Sequence, residues 1–184
     1  MDIIDIIEKY IELSVRRDNL KNTIENSKRN NAYAKIEGDM AYNEKDYKAE
    51  KSYNDSARSS IMLQEQSEKE LAQVEQLLEF THQKYEEKVR SLNELELNEA
   101  LVTMSVKKSE LERHITELSQ RRSWAISKGD AAYANRNYDE EREYNHISSE
   151  CFSEIERLKP TLHYYEAFVN DLNNRLNKGP SFGH

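Results

Sequence analysis

Through the first forty residues, Ile6, Tyr10, Leu13, Arg17, Leu20, Ile24 and Ala34 fall at alternating spacings of four and three, with polar Ser27 and Asn31 in the slots between the last two. That is the spacing of a coiled-coil seam on one helix face. The pattern returns at Leu97, Leu101, Met104, Lys108, Leu111, Ile115, Leu118 and Ala125. A cation stands in the same slot of both seams, Arg17 and Lys108, where an aliphatic stem covers the seam edge while the head reaches water. Two further stripes follow, Leu71, Val74, Leu78, Thr81 and Tyr85, then Phe152, Ile155, Leu162 and Val169. The predicted class is all-α, built from long helices that each bury one narrow face.

Sliding the chain on itself by about 91 residues aligns its halves without a gap, as a tandem duplication would. Ser14-Val15 meets Ser105-Val106, Leu20 meets Leu111, Ile24 meets Ile115 and Ala34 meets Ala125. The match is densest from Gly38 to Asn54, GDMAYNEKDYKAEKSYN, against Gly129 to Asn145, GDAAYANRNYDEEREYN. The unit reads as a helical hairpin. Gly38 and Gly129 suit a left-handed helix stop, and Asp39 and Asp130 suit the N-cap of the next helix. The predicted domains are a hairpin over 1–91, a second over 92–178 and a short tail over 179–184.

Two arrangements satisfy this pattern. In one the chain turns near Ser91 and the hairpins pack as a four-helix bundle. In the other, because KVRSLNELELNEAL has no glycine or proline, one helix runs from Asp39 to Lys128, roughly 135 Å at 1.5 Å per residue, in an antiparallel coiled-coil-like rod. The low apolar content favours the rod. Pro160, which replaces Lys69 of the first copy, should kink or restart its helix.

Composition sharpens this picture. Charged residues make up 34% and the apolar set only 36%, too little for a thick core. The net charge of −8 repels nucleic acid and anionic membranes. Most of the negative excess lies after each Gly-Asp pair. Basic pairs such as Arg16-Arg17 and Arg121-Arg122 have acids close by, which reads as a salt-bridged helix surface. MDIIDIIEKY carries acids at Asp2, Asp5 and Glu8, so it reads as neither a leader nor a membrane span. The lone Cys151, opposite Ser60 in the repeat, reads as a small packing residue in a reducing compartment, and the expected location is cytoplasmic.

The repeated tyrosines are the candidate partner-binding residues: Tyr42, Tyr47, Glu50 and Tyr53 in one copy, Tyr133, Tyr138, Glu141 and Tyr144 in the other. Spaced eleven apart on one helix, Tyr42 and Tyr53 would share a face, and Tyr47, Glu50 and Asn54 another. Such rings can pack beside a turn, or offer large contact area at low entropic cost. Metal chemistry has one pattern, Glu-x-x-His at Glu79/His82 and Glu143/His146. The two pairs are not equivalent in the repeat: His146 aligns with Asp55, and His82 falls opposite Asn173. No cofactor is expected.

Two family resemblances touch these residues. Gly-Asp followed by spaced tyrosines and alanines resembles tetratricopeptide repeats, but those have a period of about 34 residues. RRSWAISKGDAAY resembles the turn of the small Trp-x-Gly helical-hairpin proteins exported by type VII secretion. Here five positions separate Trp124 from Gly129, and the first copy has Tyr33 in place of the tryptophan. Neither carries a function over. The expected function is a non-enzymatic protein-binding role, as adaptor, chaperone, inhibitor or structural rod. Self-association is expected too, because a narrow seam often recruits a second chain. The alternatives are an acidic helical inhibitor that imitates nucleic-acid phosphates, marked by a continuous acidic face from Asp39 through Glu94, and a di-iron-type helical protein.

Overall fold

A computed structural model describes residues 2–178; the expected tail over 179–184, with Pro180, lies outside them. The described chain forms four long helices: α1 (Ile3–Asn43), α2 (Tyr47–Ser91), α3 (Glu94–Ala134) and α4 (Tyr138–Lys178). Helices α1 and α2 pack as one hairpin and α3 and α4 as another.

Both seams extend further than the apolar letters suggest. In α1 the alternation continues through Ser27, Asn31, Ala34 and Gly38 to Ala41, and every position in it is buried or half-buried. In α3 it continues through Arg122, Ala125 and Gly129 to Ala132. Gly38 and Gly129 therefore lie inside helices, as the smallest seam residues. A Cβ on Gly38 would stand 3.6 Å from Tyr53 Cβ, and one on Gly129 would stand 3.5 Å from Tyr144 Cβ. Neither glycine has a left-handed φ. The expectation that Gly38, Asp39, Gly129 and Asp130 form the turns is thus corrected. Burying glycine and alanine against the returning helix extends α1 and α3 past the Gly-Asp pair.

The chain reverses a few residues later. Lys45 and Arg136 take left-handed conformations, with φ of 62° and 58°. The Asp46 N–H donates to the Ala41 carbonyl at 2.9 Å and the Lys45 N–H to the Tyr42 carbonyl at 3.0 Å. Asn137 and Arg136 repeat this onto Ala132 and Tyr133, both at 2.9 Å. This is the Schellman closure of a helix C-terminus, with a basic residue where glycine is usual. Asp46 then caps α2, accepting from the Ala49 N–H at 3.0 Å, and Asn137 stands in the same place before α4.

The break between the copies comes from Asn93. Its side chain accepts from the Glu96 N–H at 3.0 Å, and the Glu96 carboxylate accepts from the Asn93 N–H at 2.9 Å. This capping box starts α3 without a glycine or proline. A continuous helix from Asp39 to Lys128 is excluded, since the turn at 44–46 and the Asn93 cap both interrupt it. Helix α4, by contrast, passes through Pro160 as one element. The α4 seam keeps Ile155 and Leu162 as expected, but at its two ends the buried residue comes one position earlier, Cys151 for Phe152 and Phe168 for Val169. Cys151 and Ile155 are buried, while Phe152 is 47% exposed beneath the Arg122 guanidinium.

The chain divides into two compact units that do not follow the hairpins. The unit over 12–84 is the greater part of the first hairpin. Its core is thin: Leu13, Ile24, Val74 and Leu78, with buried Ser14, Ser27, Ser67 and Thr81. Arg16–Glu70, Lys21–Glu75 and Lys28–Glu68 pair across it. The other unit joins α3 and α4 to the start of α1 and the end of α2. There Ile3, Ile7 and Ile11 form a second buried stripe beside Ile6, and Ile7, Met104 and Leu172 are fully enclosed. The doubled stripe is what a helix needs when it faces more than one neighbour.

Because Gly38 and Gly129 are helical and an added methyl meets only ordinary contacts, Gly38→Ala and Gly129→Ala should each raise stability by about 0.5–1 kcal/mol. Gly129→Leu should lower the melting temperature by forcing α3 from α4. Thermal unfolding followed by circular dichroism checks both signs; destabilisation by alanine would restore the left-handed turn.

Candidate functional site

The turn geometry decides where the tyrosines go. The reversal at 44–46 lies between Tyr42 and Tyr53, so the two stand on different helices and do not share a face. The same holds for Tyr133 and Tyr144. What comes together instead is a pair across each turn. Tyr42 and Tyr47 meet edge to face with centroids 6.5 Å apart, and Tyr133 and Tyr138 repeat the arrangement at 6.3 Å. These four rings are 53–63% exposed. Lys45 and Arg136, the left-handed residues, stand between the members of each pair in the chain.

The remaining candidates take an inner position. Tyr53 and Tyr144 are half-buried and lean on the glycines of the seam. Tyr144 also meets Trp124 edge to face at 5.5 Å. Tyr33, the equivalent of Trp124, is held above its ordinary pKa by the Glu37 carboxylate, with Tyr53 contributing. Glu50 and Glu141 are half-buried seam residues, one helical turn into α2 and α4. Each tip thus has one half-buried inner tyrosine, Tyr53 or Tyr144, while Tyr33 and Trp124, 60% and 49% exposed, stand open along with the tyrosine pair across the turn. Equivalent positions in the two copies give the same result.

A second cluster was not marked by any motif. At the end of α2, the Tyr85 hydroxyl donates to Asp171 Oδ2 at 2.5 Å. Arg175 donates to the same carboxylate oxygen at 2.7 Å and pairs with Glu86 at 2.5 Å. Its guanidinium also lies 5.5 Å from the Tyr85 ring centroid. Phe168 meets both Tyr10 and Tyr85 edge to face, at 5.4 and 5.1 Å. On the start of α1, Glu8 pairs with Lys107 of α3. Burial pushes the Tyr85 phenol well above its ordinary pKa, and the hydrogen bond to Asp171 adds to the shift. Burial opposes the charge on Arg175, but its bonds to Glu86 and Asp171 outweigh it and raise its pKa. The geometry is that of a clamp fastening α2 to α4. Every member has a partner. Its sequence signal was faint. Tyr85 is a seam residue, but Asp171 and Arg175, at i and i+4 on α4, look like any surface pair.

The metal candidates do not converge. Among the described residues no group of three His, Cys, Asp or Glu side chains is placed to hold a metal ion. Glu79 and His82 are exposed on α2. Glu143 and His146 are exposed on α4, where His146 stands 3.2 Å from Glu150. Acids of α2 and α4 alternate with cations: Glu68, Glu70 and Glu75 face lysines or arginine of α1, and Glu154 and Glu156 pair with Arg157 and Lys159. The stretch from Asp39 to Glu94 is divided among three helices and presents no single helical face. No described helix is long and apolar enough to cross a membrane. No protein-family model, curated protein or solved structure matches the chain.

The clamp carries a pH signature. Folding raises the Tyr85 pKa, so the unfolded chain loses this proton first, and stability falls as pH rises past about 10. At neutral pH, Tyr85→Phe should cost about 1 kcal/mol. Above about pH 10 the deficit of the variant should shrink by roughly 1.4 kcal/mol per pH unit. Urea unfolding of both proteins from pH 7 to 11 measures this; parallel pH profiles would contradict the clamp.

Proposed function

We propose that the chain is a non-enzymatic binding protein whose two hairpin tips each offer a recognition surface to a protein partner. The observation that carries this reading is the open, edge-to-face tyrosine pair at each tip, Tyr42/Tyr47 and Tyr133/Tyr138. Packing at the tip is supplied by Tyr53, Tyr144 and the small seam residues, so the outer rings are not needed to fill a core. Tyrosines in that setting bring large amphipathic area at low entropic cost and are frequent anchors of interfaces. A lysine or arginine in a left-handed conformation costs about 1 kcal/mol that glycine would not. Both copies keep the basic side chain there, which supports a use for the charge beside the rings.

The phosphate-imitating reading has less support. It needs carboxylates that stand clear of cations along one face, and many acids of α2 and α4 are paired. The di-iron reading lacks a converging ligand set.

The test is affinity capture from a lysate of the source cells, using wild type and a variant with alanine at Tyr42, Tyr47, Tyr133 and Tyr138. Circular dichroism should show the variant fully helical. At least one protein held by wild type should be lost by the variant. A partner held equally by both would remove the tips from recognition and return these tyrosines to a structural role.

A further inference from the structure

Helix α3 has a second apolar face. Its seam, through Ala100 and Met104, is buried. Almost opposite on the same helix, Leu95, Val102 and Val106 are 67%, 56% and 52% exposed. They recur at spacings of seven and four, so they form one stripe along about three turns. Ser105 and Ser109 lie beside the stripe, and with Leu101, Val102 and Val106 they line a shallow groove that ends at Glu110 and Arg113. A second depression, where Leu95, Leu101 and Leu176 are interleaved with Glu94 and three asparagines, leads toward the end of α4. Small side chains along a groove let another helix approach closely, and exposed apolar side chains aligned on one face of a chain this polar mark an interaction surface.

The charges around the stripe say what fits it. Glu94 and Glu99 flank its beginning, and Arg113 stands at its end with only a 3.9 Å approach to Glu117. Acid at one end and base at the other is self-complementary under a twofold axis perpendicular to the helix. With that axis near Met104, Val102 of each copy meets Val106 of the other. Arg113 then falls over Leu95 of the other copy, between Glu94 and Glu99. Glu99 falls level with Ser109. A parallel pairing would instead set Glu99 against Glu99, Glu110 against Glu110 and Arg113 against Arg113.

We infer that a second copy of the chain docks on this face, giving an antiparallel dimer through the outer surfaces of the two α3 helices. Three fully apolar positions make a small contact, in the class of weak and reversible associations. The contact uses no tip residue, so it stands whether or not the tips bind a partner.

Sedimentation velocity of the full chain, from low micromolar to submillimolar concentration, tests this. Wild type should show a monomer–dimer equilibrium. Val102→Glu with Val106→Glu should remain monomeric throughout, with unchanged helical circular dichroism. Arg113→Glu should weaken dimerisation about tenfold or more, and adding Glu99→Lys should recover most of the loss. A wild-type monomer at every concentration would overturn the proposal, as would a dimer that survives the two glutamates. A dimer indifferent to Arg113→Glu would overturn the antiparallel register.

Discussion

The distance at which two helices can lie side by side governs this molecule. Leucine and isoleucine hold seam positions near the start of α1, and the seam narrows to Ala34, Gly38 and Ala41 near its end; α3 narrows in the same way to Ala125, Gly129 and Ala132. Side chains that small let the returning helix come so near that a Cβ added to either glycine would be in van der Waals contact with Tyr53 or Tyr144. Beyond the glycine each helix runs for about one and a half more turns and closes through a left-handed basic residue. There the seam is filled by backbone, alanine and the half-buried Tyr53 and Tyr144, and the outer tyrosines lie off it. They are left on the surface in pairs, which is why the tips become candidate contact sites.

The opposite ends of the helices follow a different economy. A chain with little aliphatic content cannot make two thick hairpin cores, and its largest apolar side chains gather in one region. There the start of α1, the end of α2 and both helices of the second hairpin share Ile7, Met104, Leu172, Tyr85 and Phe168. The Tyr85–Asp171–Arg175–Glu86 group completes that core with polar bonds, all of them satisfied. The unit over 12–84 makes do with a thin core of four large aliphatics, and buries serine and threonine where a more apolar chain would place leucine.

Much of this was legible in the sequence. The four-and-three spacing established the helices, and the 91-residue offset established the duplicated hairpins. The turn position was misread because Gly-Asp has the chemistry of a stop and start, while Lys45 and Arg136 do not. The correcting signal was the spacing itself, since Ala34, Gly38 and Ala41 continue the alternation. The break at Asn93 was equally visible as a capping box, Asn93 with Glu96, once the search goes beyond glycine and proline. Density of isoleucine in the first eleven residues was a second stripe, not merely an apolar start. The clamp could not be read beforehand. It depends on which helix ends meet, and residues 86 positions apart carry no local mark of it.

The central claim is that α1 and α3 run unbroken through Gly38-Asp39 and Gly129-Asp130 and reverse only at Lys45 and Arg136. Backbone NMR assignment tests it most directly, through the Cα shifts of the residues just after each glycine. The account predicts helical shifts at Asp39, Met40 and Ala41 and at Asp130, Ala131 and Ala132, with a single left-handed residue at positions 45 and 136. Coil-like shifts beginning at Gly38 or Gly129 would contradict it, and with it the close-packed seam on which the tips depend.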